Sequence, residues 1–139
     1  MKHCHFCKIL ENRDYQLYRD KIATILLAYD PISKGHILII PNVHYLDLDE
    51  IPQKVINHVF KLAKIYVGLL KKAYQPKGYS MMQNGGAFND IGHFHLHVFP
   101  RFSKEEFGWT YAEEVESAAT EYEVLKELFG EDLKQEMTN

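Results

Sequence analysis

The segment His93-Phe94-His95-Leu96-His97-Val98-Phe99-Pro100-Arg101 constrains this chain more than any other stretch. Imidazoles alternate with apolar side chains, and a β-strand is the regular structure whose successive side chains face opposite ways. The alternation predicts a strand over residues 93–99 that ends at Pro100. Phe94, Leu96 and Val98 then enter a core, while His93, His95 and His97 project together from the other face. Three imidazoles on one face are costly to bury without partners. They read as satisfied or exposed histidines, as a metal-binding row, or as a row that performs phosphate or nucleophilic chemistry. The pattern favours the last.

The rest of the chain supplies a scaffold for that strand. Residues 15–19 and 21–29 read as strands separated by Asp20, and Asp30-Pro31-Ile32-Ser33-Lys34-Gly35 as a turn. Residues 36–40 read as a buried strand halted by Pro41, which has no N–H for a ladder. Ile51, Val55, Val59, Leu62, Tyr66, Leu69 and Ala73 recur in steps of three or four, the signature of an amphipathic helix. Its opposite face carries Lys54, Lys61, Lys64, Lys71 and Lys72. Residues 78–83 give another short strand and Asn84-Gly85-Gly86 a turn. Val115, Ala118, Tyr122, Leu125 and Phe129 carry a final helix. Strands in runs with separate helices predict an α+β fold on a mostly antiparallel sheet of about five strands.

Composition removes whole classes of function. At 139 residues and 46% hydrophobic, the chain can bury a core without staples, and two cysteines cannot make a disulfide scaffold. The longest aliphatic run, Ile37-Leu38-Ile39-Ile40, is far short of the ~20 residues of a membrane helix. Met1-Lys2-His3-Cys4 opens no apolar signal core, so a cytoplasmic location is expected, with no membrane partner. Residues 1–103 carry 13 Lys/Arg against 8 Asp/Glu, whereas residues 104–139 carry 3 against 11. A mildly basic body with an acidic tail fits a body that handles anions, and equally a solvated acidic helix face. The lack of a dense Lys/Arg stripe argues against nucleic-acid binding.

Cys4-His5-Phe6-Cys7 places two thiols at the spacing of half a tetrahedral zinc site. A redox pair would sit at a helix start after a strand, for which the first three residues leave no room; ordinary reduced cysteines are the third reading. With no second cysteine pair, histidine must complete a zinc site. His44 and His93 are candidates, although spacing alone does not select them from eight histidines. Gln83-Asn84-Gly85-Gly86-Ala87-Phe88-Asn89-Asp90-Ile91-Gly92 runs straight into the histidine row. Its glycines allow close backbone approach and its amides donate to anionic oxygens.

Together these residues resemble the histidine triad (HIT) superfamily of nucleotide hydrolases and transferases, in its zinc-bearing bacterial-type form. The resemblance covers roughly residues 4–101. It rests on Cys4-x-x-Cys7, the Asp30–Gly35 loop with His36, Ile40-Pro41-x-x-His44, Asn84 with Gly86, and the triple-His strand with Pro100-Arg101. It implies a HIT-like fold with one long and one C-terminal helix, whose sheet extends across a homodimer through the long helix. Residues 1–139 then form a single HIT domain, with residues 104–139 an acidic, mainly helical segment.

The resemblance also assigns roles. His95 becomes the nucleophile that attacks the α-phosphorus and forms a nucleotidyl-histidine. An imidazole is nucleophilic near pH 7, and the phosphoramidate it forms is labile. His97 holds phosphate oxygens and helps discharge the leaving group, and His36 completes the pocket. Asn84, Asn89, Asp90 and Asp30 fall at nucleotide-binding positions. Asn89 and Asp90 stand where relatives often carry Gln and Ser or Thr, and Ala28 where they often carry a ribose-binding Asp or Asn. Cys4, Cys7, His44 and His93 match the ligands of a structural zinc, with no catalytic metal.

The implied activity is hydrolysis at the α-phosphate of a nucleoside phosphoramidate or dinucleoside polyphosphate, with a purine nucleotide as the natural partner. A nucleotidyltransferase, a nucleotide-binding scaffold without catalysis and a metal-dependent hydrolase are the alternatives. Phe6, Ile22 and Ile25 are candidate base contacts. Phe107, Trp109 and Tyr111 either cover the leaving-group side or pack between subunits.

Overall fold

The computed structural model describes residues 3–103, 107–114 and 117–139. The chain runs α1 (His5–Asn12), β1 (Gln16–Arg19), β2 (Ala23–Leu27), β3 (Ile37–Pro41), α2 (Gln53–Tyr74), β4 (Gly78–Met82), β5 (Leu96–Arg101) and α3 (Ala118–Thr138). The five strands form one antiparallel sheet in the order β1-β2-β3-β5-β4. The α+β class and strand count agree with the sequence reading. Among the described residues no helix is long and apolar enough to cross a membrane.

Strand parity separates two apolar layers. Ala23, Ile25, Ile37, Ile39, Leu96 and Val98 face α2, which buries Val55, Val59, Leu62, Ala63 and Leu70 against them. On the other face Leu26 and Ile40 meet Cys4, Phe6 and Leu10 of the N-terminal segment. Leu69 and Ala73, expected inward, are exposed, and Leu70 is buried instead. The inward stripe follows the helix period from Val59 through Tyr66 to Leu70, so the three-residue step to Leu69 lies off it. The five lysines of the opposite face are all exposed.

Two turns hold the sheet in place. Asp20 Oδ1 accepts from the N–H groups of Ile22 and Ala23 at 2.8 and 2.9 Å, and its other oxygen meets His58 of α2. Partial burial alone would raise the Asp20 pKa, but these donors win and hold it down at about 2. Gly35 adopts φ 95°, and a Cβ there would lie 3.0 Å from the Tyr74 ring, so the loop before β3 requires glycine on both counts. Tyr66 Oη donates to the Gly35 carbonyl at 2.6 Å and ties that loop to α2.

The sequence pattern does not predict the N-terminal helix α1. It is eight residues long, buries only Phe6 and Leu10, and starts directly after Cys4. Ladder pairing also starts later than the alternation suggests, at Leu96 rather than residue 93. The antiparallel register that sets Ile39 against Leu96 would set Pro41 against Phe94. Pro41 has no N–H to offer the Phe94 carbonyl, its own carbonyl meets His93 Nε2 at 2.9 Å, and Phe94 N–H donates to the Tyr45 carbonyl at 2.7 Å. Side-chain alternation survives, with Phe94 in the core and His93 and His95 on the far side.

The chain divides into two units, Met1–Gly108 and Trp109–Asn139. In the first, Phe107 packs edge-on to Phe99 with centroids 5.3 Å apart. In the second, α3 is capped by Ser117, whose Oγ accepts from Thr120 N–H, and it buries no side chain. Trp109 and Tyr111 are exposed. Val115, expected in the final helix, lies outside the described residues.

Candidate active site and metal centre

The sheet face opposite α2 carries two histidine clusters that begin at neighbouring positions. His93, His95 and His36 are 0%, 3% and 2% exposed, so their ring nitrogens need partners. Backbone groups supply most of them. The His93 carbonyl lies 2.8 Å from His95 Nδ1 and can only accept, so Nδ1 carries the proton and Nε2 keeps its lone pair. The Pro41 carbonyl lies 2.9 Å from His93 Nε2 and reverses the arrangement, leaving His93 Nδ1 unprotonated.

A third relay fixes the remaining pair. Ile32 N–H donates to His36 Nδ1 at 2.9 Å, which places the His36 proton on Nε2. His36 Nε2 lies 2.9 Å from His97 Nδ1 and donates to it, so His97 bears its own proton on Nε2. Burial lowers the His36 pKa, and it holds that of His97 down at about 4, helped by neighbouring His95 and His36 and opposed by Asp90. Both rings are therefore neutral at pH 7, as this chain of single-proton bonds requires. Phe6 presses edge-on against His95, centroids 5.1 Å apart, and so links the N-terminal helix to the row.

These histidines open on a cleft of about 290 Å³. His36, His95 and His97 line it together with Asp30 and Asp90, while Phe6, Leu38 and Ile91 form its apolar wall and Ala28 lies at its edge. Asn84 and Asn89 stand outside this lining. The Asn89 amide is engaged within the protein, donating to the Leu46 carbonyl of the segment before α2 at 2.9 Å and accepting from Gly92 N–H of its own loop at 3.0 Å. Asn84 is half-buried, and its carbonyl accepts from Gln83. Of the candidate base contacts, Phe6 reaches the cleft; Ile25 faces α2, and Ile22 packs against that same layer. Strand parity explains the difference, because Leu26 and not Ile25 points to the cleft side of β2. His5, Tyr29 and Leu38 also line the cleft, and no sequence signal distinguished them.

The second cluster lies at the start of the same segment. One donor atom each from Cys4, Cys7, His44 and His93 fall within 4.8 Å of one another. Cys4 Sγ is 3.5 Å from His93 Nδ1, Cys7 Sγ is 3.7 Å from the same atom, and Cys7 Sγ is 3.4 Å from His44 Nδ1. Burial, with Cys4 alongside, raises the Cys7 pKa, so a cation between the thiols is what would stabilise them as thiolates. Burial also depresses His93 to about 4, which keeps its imidazole neutral and able to ligate. The Pro41 carbonyl holds the opposite nitrogen, the outer contact that orients a metal-binding histidine. The four residues could hold a metal ion.

Known proteins share the sequence pattern and fold of this chain. The sequence matches the HIT domain family over residues 10–104. An adenylylsulfatase of Arabidopsis thaliana is 33% identical over 106 residues, which are 73% of this chain and 54% of that protein. The chain thus spans about half the length of that relative. An adenosine 5′-monophosphoramidase of Saccharomyces cerevisiae is 31% identical over 113 residues, 76% of this chain and 69% of that one. The crystal structure of a HIT family protein from Bacillus anthracis is similar with a TM-score of 0.81 at 28% identity, covering 95% of this chain and 96% of that one.

Proposed function

The chain belongs to the HIT domain family, and we propose that it is a nucleotide hydrolase acting at the α-phosphate through a covalent nucleotidyl-His95 intermediate. The observation that carries this reading is the bond from His95 Nδ1–H to the His93 carbonyl, which leaves Nε2 as the free nitrogen of a side chain lining the cleft. A nucleophile whose lone pair is fixed before substrate arrives needs little reorganisation at the moment of attack. In the reaction His95 Nε2 bonds to phosphorus as the bond to the leaving group breaks. Water then displaces the imidazole and releases a nucleoside monophosphate. His97 Nε2–H donates a hydrogen bond to a phosphoryl oxygen or to the departing atom, and His36 holds His97 in that tautomer. The names of the Arabidopsis and yeast relatives support a nucleotide substrate.

Asp90 favours a phosphoramidate over a dinucleoside polyphosphate. Its carboxylate lines the cleft beside His97, where it repels an anionic leaving group and attracts an amine. Asp30, which also lines the cleft, is the ribose-side candidate given Ala28.

The four-residue cluster is proposed as a structural zinc site. About 2.3 Å to sulfur and 2.0–2.1 Å to nitrogen in a tetrahedron give ligand-to-ligand edges of roughly 3.3–3.8 Å. Three of the six separations, at 3.4, 3.5 and 3.7 Å, fall on such edges, and all four donors lie within 4.8 Å of one another. Bound there, zinc would anchor the N-terminal helix to the segment that carries His95. A homodimer, a single HIT domain spanning residues 1–139 and a cytoplasmic location complete the reading.

Mass spectrometry of intact protein mixed briefly with adenosine phosphoramidate, then with diadenosine tetraphosphate, before and after chelation, tests it. A transient nucleotidyl adduct on His95 that survives chelation is expected, with faster turnover of the phosphoramidate. Absence of both adduct and nucleoside monophosphate release with either compound overturns it in favour of a binding module.

A further inference from the structure

A second recess of about 160 Å³ continues from the cleft, sharing His5, Phe6, Tyr29 and Leu38 with it. Its far end is closed by Ile9, Leu26 and Leu27, with Tyr15 and a single carboxylate, Asp14. The order of residues is therefore triad, then shared apolar wall, then Asp14. A nucleotide whose phosphate lies against His95 and His97 has this recess in reach of its base. Flat apolar walls with one or two placed polar groups are what a heteroaromatic ring requires.

Asp14 is held in a restricted backbone. Its neighbours Arg13 and Tyr15 have φ 60° and 58°, both left-handed and neither glycine. Tyr15 N-terminal to β1 is further fixed by its carbonyl, which accepts from Leu27 N–H at 3.0 Å, and by its ring, edge-on to Tyr29 at 5.8 Å. Among the described residues the Asp14 carboxylate makes no hydrogen bond or ion pair, so both oxygens are available to a ligand.

On the reading that this cleft binds nucleotides, we infer that Asp14 makes the recess selective for guanine. Guanine presents two donors side by side, N1–H and the exocyclic N2–H₂, matching the two oxygens of a carboxylate. Adenine sets its N6 donor beside the N1 lone pair, which faces the second oxygen and is repelled. Hypoxanthine offers N1–H alone and falls between them.

Isothermal titration of the full-length protein with GMP, IMP and AMP tests this without requiring turnover. Because a bidentate base contact is worth about tenfold or more in affinity, GMP is expected to bind at least about tenfold tighter than AMP, with IMP intermediate. Asp14→Asn is expected to erase or invert that preference, because the amide accepts from adenine N6–H and donates to adenine N1. Asp14 is exposed, so the substitution should leave the melting temperature in place. Equal affinity for GMP and AMP, or a guanine preference that persists in Asp14→Asn, overturns the inference and leaves the proposed hydrolase standing. Failure of all three nucleotides to bind overturns both.

Discussion

His93 and His95 are the same residue type, two positions apart, on the same side of one segment, and they are prepared for opposite work. His93 gives its Nε2 proton to the Pro41 carbonyl and turns Nδ1 toward two thiols. His95 gives its Nδ1 proton to the His93 carbonyl and keeps Nε2 for the cleft. The difference lies in which ring nitrogen a backbone oxygen claims. An imidazole becomes a ligand or a nucleophile according to a main-chain contact that no side-chain motif spells out.

The largest expected break in that comparison is His95→Ala. Removing a covalent nucleophile should lower turnover by on the order of 10⁴-fold, while metal content stays put; nucleoside monophosphate release and elemental analysis read the two separately. Retained turnover would end the covalent mechanism. Cys4→Ser strikes the other histidine's cluster. It should strip metal and lower the melting temperature by several degrees, the scale of about 2 kcal/mol in a domain of this length. At least a tenth of the turnover should remain, because the His93 carbonyl is still present. Unchanged metal stoichiometry would refute the four-ligand assignment.

His36→Ala tests the third tautomer. Freed from its donor, His97 should misplace its proton and reduce kcat by about 10²-fold with KM little changed; His36→Gln, which keeps a donor, should recover part of the loss. An equal loss in both variants would mean that His36 only fills space. The smallest effect concerns acid. His36 and His97 have folded-state pKa values below the ordinary 6.5, His97 at about 4, so the unfolded chain takes up their protons first. Their contribution to stability is complete above pH 6.5 and is lost as pH falls toward 4. Urea unfolding across that window should show a shallower loss in His36→Gln than in the unsubstituted protein.

Much of the scaffold was legible because it repeats. The two-residue alternation in residues 93–99 and the three-to-four-residue steps from Val55 to Tyr66 reflect burial against a single layer, and such periodicity survives in a lone sequence. Helix α1 does not repeat: it spans two turns with only Phe6 and Leu10 buried, so its stability comes from contacts with β2 and β3 that no local pattern encodes. The four metal-site positions follow from the family resemblance, and the structure brings their donors together. The Asn89 amide joins its own loop at Gly92 to the Leu46 carbonyl, a use that the sequence does not distinguish from a ligand contact because an asparagine makes both with the same atoms. The start of the ladder at Leu96 was not legible, because only the register shows that Phe94 would lie opposite Pro41, which has no N–H for its carbonyl.

The contact that orients His95 has one more consequence. A carbonyl oxygen belongs to the peptide unit and is the same whatever side chain position 93 bears. Over evolutionary time the histidine at 93, and with it the metal site, can drift toward other chemistries without disturbing the nucleophile's tautomer, provided the peptide plane keeps its direction. His95 has no such freedom, because the proposed chemistry uses its own ring nitrogen. Divergence in such a molecule should therefore gather at the metal end first and reach the cleft last.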